Sequence, residues 1–149
     1  MTAAAEYRDA LRPLLEAAST RVTGILKTLA GAANIPGIDG VVLDVYVGQD
    51  PEGPFDIWAR FSGPRGTELD FALGDARAVF GVEWTETGWD PEVPPCPAGW
   101  SLEEFEGAVI TVVAEWIDPL IPAAPADLEW TVASPDGVTD SLVVGGHRG

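Results

Sequence analysis

The chain is 149 residues long and carries 24 Asp and Glu against 8 Lys and Arg, a formal net charge of −16. With 46% hydrophobic residues and six Trp it holds more apolar material than a disordered acidic tail, so a packed core is expected. A surface this negative repels phosphate, which excludes direct binding of nucleic acid or of an anionic membrane face as a primary role.

In chain order, Leu11, Leu14, Leu15, Ala18, Val22, Ile25, Leu26 and Leu29 recur at three- and four-residue spacing. That spacing predicts one long amphipathic helix over residues 1–30, with Pro13 in its first turn or at a kink. The Asn34-Ile35-Pro36-Gly37 cluster ends it. Strands are expected across 40–86. Val41, Leu43, Val45 and Val47 alternate with Val42, Asp44 and Tyr46. After turn residues at 48–54, Phe55, Ile57, Ala59 and Phe61 alternate with Asp56, Trp58 and Arg60. The two runs form a predicted antiparallel hairpin, with Trp58 on its polar face. Leu69, Phe71 and Leu73 read as a third strand, Asp75 to Phe80 as a helical turn, and Val82 to Thr85 as a short fourth strand.

Gly81 to Gly99, with Pro91, Pro94, Pro95 and Pro97, reads as a long loop. Ser101-Leu102-Glu103-Glu104 is a capping box announcing a helix over 101–118, stopped by Asp118-Pro119. Leu128 to Ala133 and Val138 to Val144 flank Ser134-Pro135-Asp136-Gly137, which predicts a hairpin over 127–144. The expected architecture is a single α+β domain over 1–149, an antiparallel sheet of five to six hairpin strands packed against two main helices.

The charge is unevenly spread. Residues 1–30 are close to neutral, whereas residues 78–140 carry thirteen acids and no Lys or Arg. Local ion pairs within that run cannot neutralise its acids, so they face water, a cation or a basic protein. Trp84, Trp89 and Trp100 fall among Glu83, Glu86, Asp90, Glu92, Glu103, Glu104 and Glu106, a mixture of aromatic anchors and carboxylates suited to engaging a partner's Arg residues. These ten residues are the candidate partner-binding surface. The alternative for the three Trp residues is closure of the core beneath the loop.

Catalytic material is sparse. His147 lies in a Gly-rich tail, and Cys96 sits in Pro-Pro-Cys-Pro with no neighbouring cation to lower its pKa. One Cys permits no intrachain disulfide, and neither a P-loop nor a dinucleotide Gly pattern occurs, so no metal or other cofactor is expected. The pairs Glu103 with Glu106 and Glu83 with Glu86 leave open an acid-pair hydrolase, or a small-molecule or divalent-metal domain with a carboxylate-lined pocket. A further alternative has the first helix pairing with a partner's helix. No signal-peptide pattern and no long apolar span is read, so a cytoplasmic location is expected.

The strings Phe55-Asp56-Ile57-Trp58-Ala59-Arg60-Phe61-Ser62-Gly63-Pro64, Phe80-Gly81-Val82-Glu83-Trp84-Thr85-Glu86-Thr87-Gly88 and Val113-Ala114-Glu115-Trp116-Ile117 resemble a family of small acidic actinobacterial proteins of unknown function. The likeness covers roughly residues 55–117. The resemblance implies no activity, and the family's members look like the single-domain acidic proteins that serve as immunity partners of toxins. From the basic-free acidic run and its Trp residues, the expected function is a non-enzymatic domain that docks a basic protein, as an inhibitor or immunity protein does with a toxin.

Overall fold

The computed structural model describes residues 3–47, 55–80, 83–85, 88–90, 99–122, 128–134 and 142–144. The predicted first helix is two helices, α1 (Ala3–Ala17) and α2 (Ser19–Ala33). A straight helix of 30 residues would be ~45 Å long, beyond the ~30 Å width of a small domain. The chain breaks at Ala18, whose N–H bonds back to the Leu15 carbonyl over three residues. The Ser19 hydroxyl then accepts from Trp116 Nε1 at 3.0 Å, which fixes the new direction. Pro13 lies inside α1 on its exposed side, where water can solvate the carbonyl it leaves unbonded.

The hairpin of β1 (Gly40–Val47) and β2 (Phe55–Ser62) forms with Val41 opposite Phe61 and Val45 opposite Ile57. Its alternation sends Val41, Leu43, Val45, Phe55, Ile57, Ala59 and Phe61 into the core. Residues 68–73, read as a strand, lie instead in α3 (Gly66–Leu73). Leu69 and Leu73 are spaced for period two and for one helical turn alike. Gly63, at φ +109°, and the close approach of Gly66 to the Phe61 carbonyl fold the chain back, and Leu69 and Leu73 then pack partly buried while Phe71 is 92% exposed. A 3-10 turn over Gly74–Arg77 leads into β3 (Ala78–Phe80).

Within the expected loop lies a small hairpin, β4 (Glu83–Thr85) and β5 (Gly88–Asp90), paired apart from the main sheet. The predicted cap is present at α4 (Leu102–Ile117): Ser101 Oγ accepts from the Glu104 N–H at 3.1 Å, and the Ser101 N–H donates to Glu104 Oε1 at 3.3 Å. Phe105, Val109, Ile110, Val112, Val113, Trp116 and Ile117 are all buried, more than a one-sided stripe provides. The reason is that α4 is covered on two sides, by α1 and by the sheet.

The main sheet has the order β3-β2-β1-β6-β7, with β6 (Glu129–Ala133) and β7 (Leu142–Val144). It is mixed rather than antiparallel, because β6 lies parallel to β1, Leu43 opposite Val132. A parallel neighbour needs a long crossover, and α4, running between β3 and β6, is that connection. The fold is therefore α+β with five strands in the main sheet and four α-helices among the described residues. β6 and β7 pair antiparallel, as the predicted hairpin requires, with Trp130 opposite Val144. Val132 faces Leu142 in that pair. The turn itself lies outside the described residues.

α2 and α4 pack on one face of the sheet and α1 packs on α4. Tyr7, Leu11 and Leu15 bury the inner side of α1, each worth ~1.5–3 kcal/mol when fully removed from water. The apolar stripe of residues 1–30 is thus this chain's own core, which removes the reason to invoke a partner helix. Phe55 stacks on Phe80 at 5.4 Å, and Trp116 meets Phe80 edge-on at 6.1 Å, tying α4 to the β2–β3 end. Among the described residues no helix is long and apolar enough to cross a membrane.

Candidate functional site

The ten residues singled out in the sequence do not share one environment. Glu83 stands opposite Asp90 and Trp84 opposite Trp89 across the β4–β5 hairpin; their side chains, like Glu86 and Glu92, lie outside the described residues. Trp100 is half-buried against Tyr7, ring centres 5.8 Å apart, and Tyr7 meets Phe105 edge-on at 5.4 Å. That trio closes the junction of α1 with the start of α4, so Trp100 serves the core and keeps one edge toward solvent. Glu103 and Glu104 are exposed in the first turn of α4, where the positive end of the helix dipole favours carboxylates. With Arg8, Ser101, Gly107, Ala108 and Thr111 they line an open groove between α1 and α4.

Glu106 requires a correction. It is 1% exposed, and the Ser134 hydroxyl donates to its Oε1, so it is enclosed between α4 and the end of β6 and cannot touch a docked partner. The helix explains this: Glu106 falls on the side of α4 that meets the end of β6, and Glu103 points outward. The Glu103–Glu106 pair proposed for acid–base work is thereby split between solvent and interior. Glu83 with Glu86 falls outside what is described, as do Cys96 and His147. Among the described residues no three His, Cys, Asp or Glu side chains converge to hold a metal ion.

A second polar surface lies on the sheet face turned away from the helices. There Asp44 is opposite Trp58 and Tyr46 opposite Asp56. Asp44, only 4% exposed, accepts from Arg60 Nε at 2.9 Å and Nη2 at 3.3 Å, a two-pronged pair. Hydrogen bonding and charge from Asp44 outweigh the partial loss of hydration and hold the Arg60 guanidinium above its ordinary pKa. The Arg77 guanidinium lies 5.8 Å over the Trp58 ring and donates to the Ala59 and Gly74 carbonyls. The alternation of β1 and β2 puts Asp44, Trp58 and Arg60 on this face, as the sequence predicts; that Asp44 is buried and paired with Arg60 it does not reveal. The signal was Asp44 within an otherwise apolar strand.

One acid of the basic-free run is neutralised from afar: Arg12 of α1 reaches Glu115 of α4 at 3.0 Å, both exposed enough for the pair to be worth only ~0.2–1 kcal/mol. Glu103, Glu104 and Glu129 are exposed.

Fold and surface together define an acidic α+β domain, a five-stranded mixed sheet with helices on one face. The chain belongs to the family of unknown function DUF6389, whose model matches residues 1–147. No curated protein and no solved structure matches it.

Proposed function

We propose that this protein is a cytoplasmic, non-enzymatic binding domain of actinobacterial origin that docks a basic protein through its acidic second half, as an inhibitor or immunity protein does with a toxin. The supporting observation is the segregation of charge. Seven of the eight basic residues precede Ala78, and thirteen acids follow with no Lys or Arg before Arg148. Glu103 and Glu104 present that charge at the start of α4 beside the half-buried ring of Trp100. A carboxylate beside an aromatic edge suits an arginine, which can pair with the one and lie against the other.

Docking of this kind is steered electrostatically, so association should be fast at low salt and slow steeply as ionic strength rises. The test is retrieval of partners from the native host at low salt, followed by stopped-flow association. The expected result is a basic partner whose association rate falls more than about tenfold between ~0.05 M and ~0.5 M salt, as screening shortens from above to below ~8 Å. A partner that is not basic, or a rate indifferent to salt, refutes the reading.

A further inference from the structure

We infer that Phe71 of α3 is an interface anchor that inserts into an apolar pocket, rimmed by Lys or Arg, on a partner protein; this rests on the basic-partner reading above and adds to it a contact outside the acidic second half. Single apolar side chains are common on protein surfaces. Phe71 differs in degree: it is 92% exposed, whereas the other four Phe of the chain, Phe55, Phe61, Phe80 and Phe105, are all buried. The segment around it, residues 55–80, is described throughout.

The helix is held in the phase that turns Phe71 outward. In a strand Leu69, Phe71 and Leu73 would share one face, but in α3 Leu69 and Leu73 pack partly buried and Phe71 between them turns to water. Three contacts with β2 fix that phase from behind. Gly66 lies so close to the Phe61 carbonyl that a Cβ would overlap it, and Asp70 accepts from the Phe61 N–H at 2.8 Å. Just past the helix, Arg77 donates to the Ala59 carbonyl at 3.1 Å and to the Gly74 carbonyl at 3.2 Å. A side chain carried by a segment tethered at both ends is pre-organised, because a partner need not order the backbone that presents it. An aromatic ring adds a large, stiff apolar surface, the reason such residues are enriched at the centres of interfaces.

Charge decides between occupants. Glu68, one turn before Phe71, and Asp75, in the turn that follows α3, are both exposed. Residues 66–76 contain Glu68, Asp70 and Asp75 and no Lys or Arg. Of the two arginines that bound them, Arg77 is engaged with β2 and lies over the Trp58 ring, and Arg65 lays its methylene stem against Gly37 while its Nε reaches Glu68 at 3.1 Å. Both members of that last pair are more than half exposed, so a partner's base can displace it at little cost. A second copy docking through the same patch would set carboxylate against carboxylate around the two rings. A pocket rimmed by Lys or Arg takes the ring into its apolar interior and meets Glu68 and Asp75 at its edge, the arrangement in which polar contacts seal a central anchor from water.

The experiment places a photo-crosslinker in the full chain in its native host, as Phe71→p-benzoylphenylalanine in one strain and Glu103→p-benzoylphenylalanine in another. The expected result is an adduct from position 71 with a basic protein, which is then purified and its affinity for the unaltered chain measured. Phe71→Ser should weaken that complex about tenfold or more. The same variant should shift thermal unfolding by no more than about 2 °C, since the side chain it removes is exposed, which separates an anchor from a structural residue. Glu68→Gln together with Asp75→Asn should weaken binding several-fold at low salt and lessen its dependence on salt. An adduct from position 103 and none from position 71 overturns the anchor and leaves the basic-partner reading standing. So does an adduct of position 71 with a second copy, or a complex that Phe71→Ser weakens less than about twofold. A partner at position 71 that is not basic, or that ignores the Glu68 and Asp75 changes, overturns the charge argument. No adduct from either position overturns both readings.

Discussion

The Glu106–Ser134 contact makes a quantitative demand on stability. Glu106 is enclosed in α4 with 1% exposure, and Ser134 at the end of β6 donates to it. Ser134→Ala removes one oxygen and leaves no cavity of consequence, so its cost is that of leaving a buried acceptor without its hydrogen bond, ~1–3 kcal/mol. Glu106→Met exchanges the carboxylate for an apolar chain of similar length and releases the cost of burying the acid, but it leaves the buried Ser134 hydroxyl without its acceptor, so the single change is expected to cost about 1 kcal/mol or less. In the Glu106→Met background Ser134→Ala should then cost less than ~0.5 kcal/mol, a coupling that only a double-mutant cycle exposes. Urea unfolding followed by Trp fluorescence measures this, since Trp130 is buried four residues from Ser134. With a slope of ~2 kcal/mol/M, Ser134→Ala alone should lower the midpoint by about 1 M. A fall of the same size in both backgrounds, or one below ~0.3 M in the otherwise unaltered chain, would refute the claim that Ser134 stabilises the buried carboxylate.

Ser101→Ala removes the α4 cap and should cost ~1 kcal/mol, a fall of about 3 °C in Tm by calorimetry. Gly66→Ala sets a Cβ against the Phe61 carbonyl and should destabilise by about 3 kcal/mol in urea titration, whereas Gly24→Ala, open on all sides, should stabilise slightly. Arg60→Ala leaves the buried Asp44 carboxylate without its cation and should cost ~2 kcal/mol, while Asp44→Asn, which keeps an acceptor for a half-exposed Arg60, should cost ~1 kcal/mol or less; equal costs would contradict the burial asymmetry. The pKa of Arg60 is raised, so the stability its charge contributes is fully present below its ordinary value and is lost only as pH rises through the higher folded one. Between about pH 6 and 9 the Arg60→Ala penalty should therefore show no slope attributable to the guanidinium.

The elements that were legible in the sequence are those whose signal is local. The Ser101–Glu104 box makes both of its hydrogen bonds, and the alternation of β1 and β2 sends the expected side chains inward. What failed needed information from elsewhere in the fold. Residues 66–73 satisfied two periods, and the choice fell to Gly66 against Phe61 and to Asp70 capping the Phe61 N–H, contacts made after the chain has turned back. The break at Ala18 depends on Trp116, 97 positions from its hydrogen-bond partner Ser19. The parallel pairing of β6 with β1 is set by where α4 crosses the sheet, which no window along the chain contains.

Charge was legible as a distribution but not as a surface. The same acidic run sends Glu103 and Glu104 to solvent, ties Glu115 to Arg12 and hides Glu106 under α4, so membership of the run does not predict exposure. Helical phase does: Glu103 and Glu104 open the helix, Glu115 lies three turns on along the α1 side, and Glu106 falls on the side that meets β6. A partner reading this surface would meet the carboxylates at the start of α4, together with Glu129 at the start of β6. Whether one partner spans both is a matter of reach. Ser134, at the end of β6, touches Glu106 near the start of α4, so that side of the sheet and the start of α4 adjoin. An interface of standard size, ~800 Å² per partner, is wide enough for adjoining patches, so the proposed basic partner would meet both at once.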